Sequence, residues 1–150
     1  MTEKQKRLIK DIKVLFLSLC MGVSFFLLVS LAIAYLEIIN PAANPESLIR
    51  TGIIANLVAF LVISFGLSFF KRQMQSIRRA DPIKKLEKYK TITLIRAASI
   101  ETAAFVFMIL FIYTGAWYLL IEAAAVFAYL LFLFPNEKRI SGDLEEDFTN

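Results

Sequence analysis

Four apolar runs, each long enough to cross a lipid bilayer, occupy most of this chain. They cover about residues 14–36, 51–70, 92–113 and 116–134. A bilayer core about 30 Å thick is crossed by about 20 apolar residues in a helix, and the runs have that length. The sequence therefore predicts an all-α membrane protein, a bundle of four transmembrane helices.

Composition limits what else the chain can contain. Hydrophobic residues make up 58% of its 150 residues, against about 45–50% in soluble globular domains. Four spans leave no room for a second, soluble domain, so residues 1–150 are expected to form a single membrane domain. The chain has one cysteine, Cys20, and no histidine. An internal disulfide is therefore excluded, and the commonest metal ligand and general base is absent. We expect no metal, no cofactor and no enzyme activity.

The distribution of basic residues predicts the orientation in the membrane. Thr114-Gly115 separates the last two runs by a short turn, so the spans form two antiparallel hairpins. Basic residues concentrate before the first span and in the predicted loop 71–91, whereas the outer connections contain only Arg50. By the positive-inside rule, both termini and this loop are predicted to be cytoplasmic. Trp117 and Tyr118, beside the outer turn, fit the aromatic belt of a membrane interface.

The basic loop has its own helical signal. Asp81-Pro82 is typical of a helix start, and Ile83, Leu86, Tyr89 and Ile92 follow at intervals of three. This stripe predicts that residues 82–90 lie on the cytoplasmic membrane surface before entering the third span. Lysines on that segment are candidates for binding anionic lipid headgroups, namely Lys84, Lys85, Lys88 and Lys90. The alternative is a purely topological role for these charges, and membrane topology also makes a nucleic-acid partner unnecessary.

Four polar side chains within the spans are the candidate functional site: Asn56, Arg96, Glu101 and Glu122. A charge at bilayer depth costs about 2.5–3.5 kcal/mol on insertion scales, so such residues require an explanation. The two glutamates share helix faces with small residues and are expected to point into the bundle. The third-span face contains Ala97, Glu101 and Ala104, and the fourth-span face contains Glu122, Ala125 and either Ala128 or Tyr129. A similar stripe in the second span contains Gly52, Asn56, Ala59 and Gly66.

Two interpretations of these residues remain open. The glutamates are either hydrogen-bonded groups that fix helix packing or a proton or cation site. They are predicted to lie about 9 Å apart along the bundle axis, too far for a carboxylate dyad. Arg96 lies about one turn inside the cytoplasmic boundary, from which its side chain can reach back to water.

The tail, residues 135–150, changes from basic to acidic along its length. Ile140, Leu144 and Phe148 recur every four residues, which is compatible with a short amphipathic helix that Gly142 would weaken. The alternative is a disordered solubilising tail. Its acidic end could contact the basic loop on the same side of the membrane.

The run from Arg96 to Ala104, which contains Glu101, is the part of the chain that most resembles a known family. This run superficially resembles the carboxylate helix of rotary ATPase c subunits, but the chain has only 5 glycines and no repeated Gly-x-Gly pattern. Small multidrug transporters share the four-span plan but have a carboxylate in the first span. Disulfide-forming quinone enzymes need cysteine pairs that are absent. What remains is a general resemblance to small four-span bacterial membrane proteins, which implies no activity.

Two functions are compatible with this sequence. The first is a non-catalytic accessory or scaffold protein, a homo-oligomer or a small subunit of a membrane complex. The second is a small proton- or ion-coupled transporter that uses Glu101, with Glu122 and Asn56 as further polar lining. No proline interrupts any span, whereas transport sites are often formed by broken helices.

Overall fold

The computed structural model describes residues 2–36, 45–77 and 81–145. Its five helices are α1 (Glu3–Tyr35), α2 (Pro45–Ile77), α3 (Pro82–Thr114), α4 (Trp117–Phe132) and α5 (Glu137–Leu144). No strand occurs among these residues. The prediction of an all-α protein is therefore confirmed.

Local sequence signals determine where these helices begin and end. Thr2 and Gln5 form a reciprocal capping box at the start of α1. Asp81 and Pro82 begin α3 as predicted, and Gly115 ends it in the left-handed conformation with φ 67°, which glycine adopts without steric cost. Asn136 caps α5 by accepting a hydrogen bond from the Arg139 backbone N–H at 2.8 Å.

Helix α3 is the central helix, and α1, α2 and α4 pack around it. Contacts between Gly22 and Glu101 and between Phe26 and Phe105 show that α1 and α3 run parallel. Contacts of Tyr118 with Leu48 and of Glu122 with Asn56 show that α2 and α4 are parallel to each other. Contacts of Gly66 with Ser99 and of Phe70 with Arg96 show that α2 runs antiparallel to α3. The helices therefore alternate in direction along the chain, as two consecutive hairpins require.

The bundle contains two separate apolar cores. The larger core lies among α1 to α4 and includes Phe16, Ile100, Met108 and Leu119, all fully buried. The second core lies at the end where α1 and α3 begin, and we call it the cap. Its buried members are Ile9, Ile12, Ile77, Leu86, Tyr89, Ile92, Ile140 and Leu144. Helix α5 completes the cap by packing Ile140 and Leu144 against it.

The cap corrects the predicted boundaries at the basic end. Helix α2 continues to Ile77 and α3 begins at Pro82, so most of the predicted loop 71–91 is helical. The stripe Leu86, Tyr89 and Ile92 packs against α1, α2 and α5 rather than lying on a membrane surface. Helix formation in the tail is observed up to Leu144, whereas Arg78, Arg79 and Phe148 lie outside the described residues.

Three of the five described helices, α1, α2 and α3, are long and apolar enough to cross a membrane. Each has 33 residues, or about 50 Å at 1.5 Å per residue, well beyond a core of about 30 Å. Helix α4 has 16 residues, and the chain bends by 74° between it and α5. The described residues therefore contain three helices able to cross a membrane, or four if α4 with its bent continuation is counted.

Candidate intramembrane polar site

Asn56 and Glu122 form a hydrogen-bonded pair between α2 and α4. The Asn56 Nδ2 atom donates to both carboxyl oxygens of Glu122, at 3.1 and 3.3 Å. The same nitrogen also donates to the Gly52 carbonyl oxygen at 3.0 Å. Asn56 is exposed and Glu122 is half-buried, so the pair lies at the edge of the bundle. It joins two helices that have few other contacts.

Tyr118 makes the second connection between α2 and α4, about one helical turn nearer the turn at Gly115. Its hydroxyl donates to the Leu48 carbonyl oxygen at 2.9 Å. Gly52 is required for this approach, because a Cβ atom there would lie 2.6 Å from the Tyr118 hydroxyl. Gly52 therefore leaves room for the Tyr118 side chain, and it does not bring two helix backbones into close contact.

A surface groove runs between α2 and α4 past these two connections. Its outer part has a volume of about 580 Å³ and is lined by Ile53, Leu57, Phe60 and Tyr118, with Asn56 at its edge. Its inner part has a volume of about 270 Å³ and is lined by Ile63, Phe107 and Glu122, again with Asn56 and Phe60. The shared residues show that the two parts adjoin. The groove is apolar apart from the Asn56–Glu122 pair and the Tyr118 hydroxyl.

Glu101 lies elsewhere, between α1 and α3. Its Oε1 atom lies 3.4 Å from the position that a Cβ atom on Gly22 would occupy. The side chain is half-buried, and no residue of the described part of the chain forms a hydrogen bond or an ion pair with it. Glu122 lines the same part of the groove as Phe107 of α3, and Phe107 is six residues from Glu101, so the two carboxyls differ by about 9 Å in depth. The structure thus does not bring the two glutamates together.

Arg96 is buried at the boundary between the bundle core and the cap. Its side chain is only 6% exposed, and its guanidinium carbon lies 3.7 Å from the centroid of the Phe70 ring. Its Nε and Nη2 atoms have no hydrogen-bond partner among the described residues. The side chain is therefore packed across α2 and does not extend toward water, contrary to the sequence-based expectation.

The packing faces agree with the sequence in part for α2 and α3, where Asn56 is exposed and Glu101 is half-buried, but not for α4. Gly52, Ala59 and Gly66 are buried as expected, and so are Ala97 and Ala104. Helix α4 instead buries Leu119, Leu120, Ala123 and Leu130, and it leaves Ala125 and Ala128 exposed. The expectation that Glu122 points into the bundle with these alanines is wrong. Glu122 points sideways, toward α2.

The four candidate lysines for lipid binding differ in their environments. Lys85 is buried, and the Lys90 Nζ atom lies 3.5 Å from Asp11. Lys84 and Lys88 are exposed and line a groove of about 610 Å³ with Phe69, Thr91 and Ile92. Of the four candidates, the two exposed lysines are thus Lys84 and Lys88, which are spaced one helical turn apart.

Two polar contacts in the cap join residues that the sequence does not pair, although it does suggest contact between the acidic tail and the basic loop. The Tyr89 hydroxyl donates to Asp143 Oδ2 at 2.8 Å, and Lys13 Nζ lies 2.6 Å from Glu137. Both attach α5 to the rest of the cap. Among the described residues, no cluster of three or more His, Cys, Asp or Glu side chains could hold a metal ion.

No protein-family model, curated protein or solved structure matches this chain. Any statement about function therefore depends on the geometry described above.

Proposed function

We propose that this chain is an integral protein of a bacterial inner membrane, with four spans and both termini in the cytoplasm. The arrangement of basic residues supports this topology. The beginnings of α1 and α3 meet in the cap, where Lys4 lies 3.2 Å from Glu87 and Lys90 lies 3.5 Å from Asp11. All the lysine-rich segments are therefore at one end of the bundle, as the positive-inside rule requires of a cytoplasmic face. Lys84 and Lys88 then lie near the anionic headgroups of the inner leaflet.

Reporter fusions test this topology. A reporter fused after Asn150 is expected to be cytoplasmic, and one inserted at Ala43 is expected to be external. A reporter inserted in the turn at Gly115 is also expected to be external and specifically tests the crossing by α4. If α4 returns only part of the way, a C-terminal fusion will not be cytoplasmic, and the four-span proposal fails.

We further propose that the protein is a non-catalytic accessory or scaffold subunit. The observation that supports this role is the position of α2, which packs extensively on α3 alone. Its other sides present a continuous apolar surface, including Ile54, Leu57, Leu61 and Phe65, each more than half exposed. Membrane helices associate through packing and interhelical hydrogen bonds, so a helix held on one side only is suited to receive a second copy or another membrane subunit.

Site-specific photo-crosslinking in native membranes tests the accessory role. A crosslinker at Leu61 on α2 is expected to give a discrete protein adduct. A crosslinker at Leu28 on α1, which is similarly exposed to the bilayer, serves as the matched position and is expected to give lipid adducts only. An absence of protein adducts from every exposed position of α2 would contradict an assembly role.

A second candidate function is proton-coupled transport through Glu101, and one observation favours it. The Glu101 carboxyl is half-buried at mid-span and has no partner among the described residues. A carboxyl that fixes helix packing would have a donor on a neighbouring helix. An unpaired intramembrane acid is instead available to exchange a proton.

Substitution of Glu101 separates these interpretations. Because the carboxyl makes no hydrogen bond within the described residues, Glu101→Gln and Glu101→Leu are each expected to change stability by less than about 0.5 kcal/mol. Thermal unfolding in detergent measures this. If the carboxyl transfers protons, both variants will abolish proton flux in proteoliposomes while Glu87→Gln, an exposed acid in the cap, will retain it. Unchanged flux in Glu101→Gln would eliminate the transport proposal, and a large loss of stability in Glu101→Leu would restore a packing role.

A further inference from the structure

We propose that the groove between α2 and α4 binds a lipophilic cation, an apolar molecule with a single positive charge, through the carboxylate of Glu122. This inference goes beyond the accessory role proposed above and does not depend on it. It requires a groove of suitable size, an uncompensated negative charge and walls that favour a cation.

The size and lining of the groove suit a small ligand. Its two adjoining parts measure about 580 and 270 Å³, and ligand pockets commonly measure about 300–1,000 Å³. The walls are apolar, with Ile53 and Leu57 on the α2 side and Phe107 deeper in the bundle. Such pockets bind mainly by apolar contact and orient the ligand with a few polar groups. Here those groups are Asn56 and Glu122.

Counting hydrogen-bond donors shows that the Glu122 carboxylate is under-coordinated. An ionised carboxylate has about four acceptor positions, whereas an amide NH2 group has two N–H donors. Asn56 uses one N–H for the Gly52 carbonyl and shares the other between the two Glu122 oxygens. The carboxylate thus receives one donor. No other residue in the described part of the chain forms a hydrogen bond or ion pair with it.

The charge of this carboxylate determines which ligand fits. The described residues that line the two parts of the groove include no lysine or arginine, so none of them supplies a positive charge to pair with Glu122. A charge at membrane depth is costly unless it is paired, and a cation with an apolar body provides both the pairing and the apolar contacts. Anions would be repelled, and neutral molecules would leave the carboxylate unpaired.

Aromatic side chains reinforce this selectivity. Phe60 contributes to both parts of the groove, and Tyr118 lines the outer part. The faces of such rings attract organic cations, with a gain of about 0.5–2 kcal/mol. Phe60 is 68% exposed and Asn56 is also exposed, so the groove opens to the side. A ligand dissolved in the lipid phase can therefore enter it directly.

Binding of two ions of matched shape and opposite charge tests the proposal. Radiolabelled tetraphenylphosphonium and tetraphenylborate are titrated by equilibrium dialysis onto the full chain in nanodiscs of neutral lipid, with empty nanodiscs subtracted. Tetraphenylphosphonium is expected to bind saturably and tetraphenylborate is not. Glu122→Gln, which retains an oxygen for the Asn56 hydrogen bond, is expected to weaken tetraphenylphosphonium binding at least about tenfold, the scale of one charged contact.

Three further variants locate the site. Phe60→Leu, at an exposed position, is expected to weaken binding about twofold to fivefold through loss of the ring. Glu46→Gln removes an exposed acid of α2 outside the groove lining and is expected to bind like the wild type. Loss of binding in Glu101→Gln but not in Glu122→Gln would move the cation site to α1 and α3 and overturn the proposal.

Other results would also overturn it. These are equal binding of the two ions, saturable binding that survives Glu122→Gln, or no saturable binding of tetraphenylphosphonium. If binding is absent while a crosslinker at Ile53 captures the helix of another membrane subunit, the groove is a protein interface and not a ligand site.

Discussion

Replacement of Ile140 by alanine is expected to release α5 from the cap. Ile140 is fully buried against Ile9, Ile12 and Ile77, and truncating a buried isoleucine costs about 2–5 kcal/mol. Helix α5 has only 8 residues, too short to be stable without packing. Loss of the Ile140 contacts is therefore expected mainly to let α5 detach and unfold locally, while the rest of the bundle stays folded. Because Lys138 and Arg139 lie within α5, trypsin should cleave there at least about 30 times faster, since 1.4 kcal/mol corresponds to tenfold.

Ile121→Ala is the matched control for this experiment. Ile121 is 69% exposed on α4, so the same truncation removes little packing and should leave the cleavage rate at Lys138 and Arg139 unchanged. Equal cleavage of wild type and Ile140→Ala would show that α5 is not held by the cap core. The polar contacts of Asp143 and Glu137 would then be sufficient to hold it.

Substitution of Gly66 by alanine is expected to destabilise the whole bundle by about 1–3 kcal/mol, the usual cost of overpacking. A Cβ atom on Gly66 would lie 2.6 Å from the Ser99 Cβ atom and 2.8 Å from its Oγ atom. Because a Cβ atom is fixed to its backbone, rotation of the serine side chain cannot relieve the first contact. Helices α2 and α3 must therefore separate. Thermal unfolding in detergent should show a lowered midpoint.

Two comparisons make this prediction specific. Gly142→Ala, where an added Cβ meets nothing within 4 Å, should leave stability unchanged or raise it by about 0.5–1 kcal/mol. Ser99→Gly removes the opposing Cβ and should restore part of the stability lost in Gly66→Ala, whereas Ser99→Ala should not. Equal effects of the two serine substitutions in the Gly66→Ala background would indicate that the contact is not the cause.

Hydropathy predicted which residues of each helix are apolar, but it did not predict the residues at which the helices begin and end. Residues 71–77 and 82–91 contain lysine and arginine, which mark a membrane boundary yet are good helix formers. The predicted loop is therefore wrong for residues 71–77, where α2 continues, whereas residues 82–90 are helical as the sequence predicts. By contrast, the start of α3 at Asp81-Pro82 and its end at Gly115 follow from backbone constraints, and these were correct.

The sequence identifies each candidate polar residue, but it does not show which of these residues contact one another. Asn56 and Glu122 each stand out in an apolar run, yet their contact depends on the relative depth and rotation of α2 and α4. Small residues on α4 suggested the wrong buried face, because this helix packs mainly through leucines. Tyr118 was expected only in the interfacial belt, and its contact with Leu48 also depends on the position of α2.

The cap has a consequence for the order of events during synthesis. Its core joins Ile9 and Ile12 of α1 to Ile140 and Leu144 of α5, which leaves the ribosome after the other four described helices. Until α5 is made, the apolar surface formed by Ile9, Ile12 and Ile77 has no cover from Ile140. Nascent chains in which the spans have inserted incorrectly cannot bring these segments to the same side of the membrane. Such chains would keep the surface formed by these isoleucines exposed. Chaperones and proteases that recognise apolar segments could then distinguish misinserted chains from correctly inserted ones.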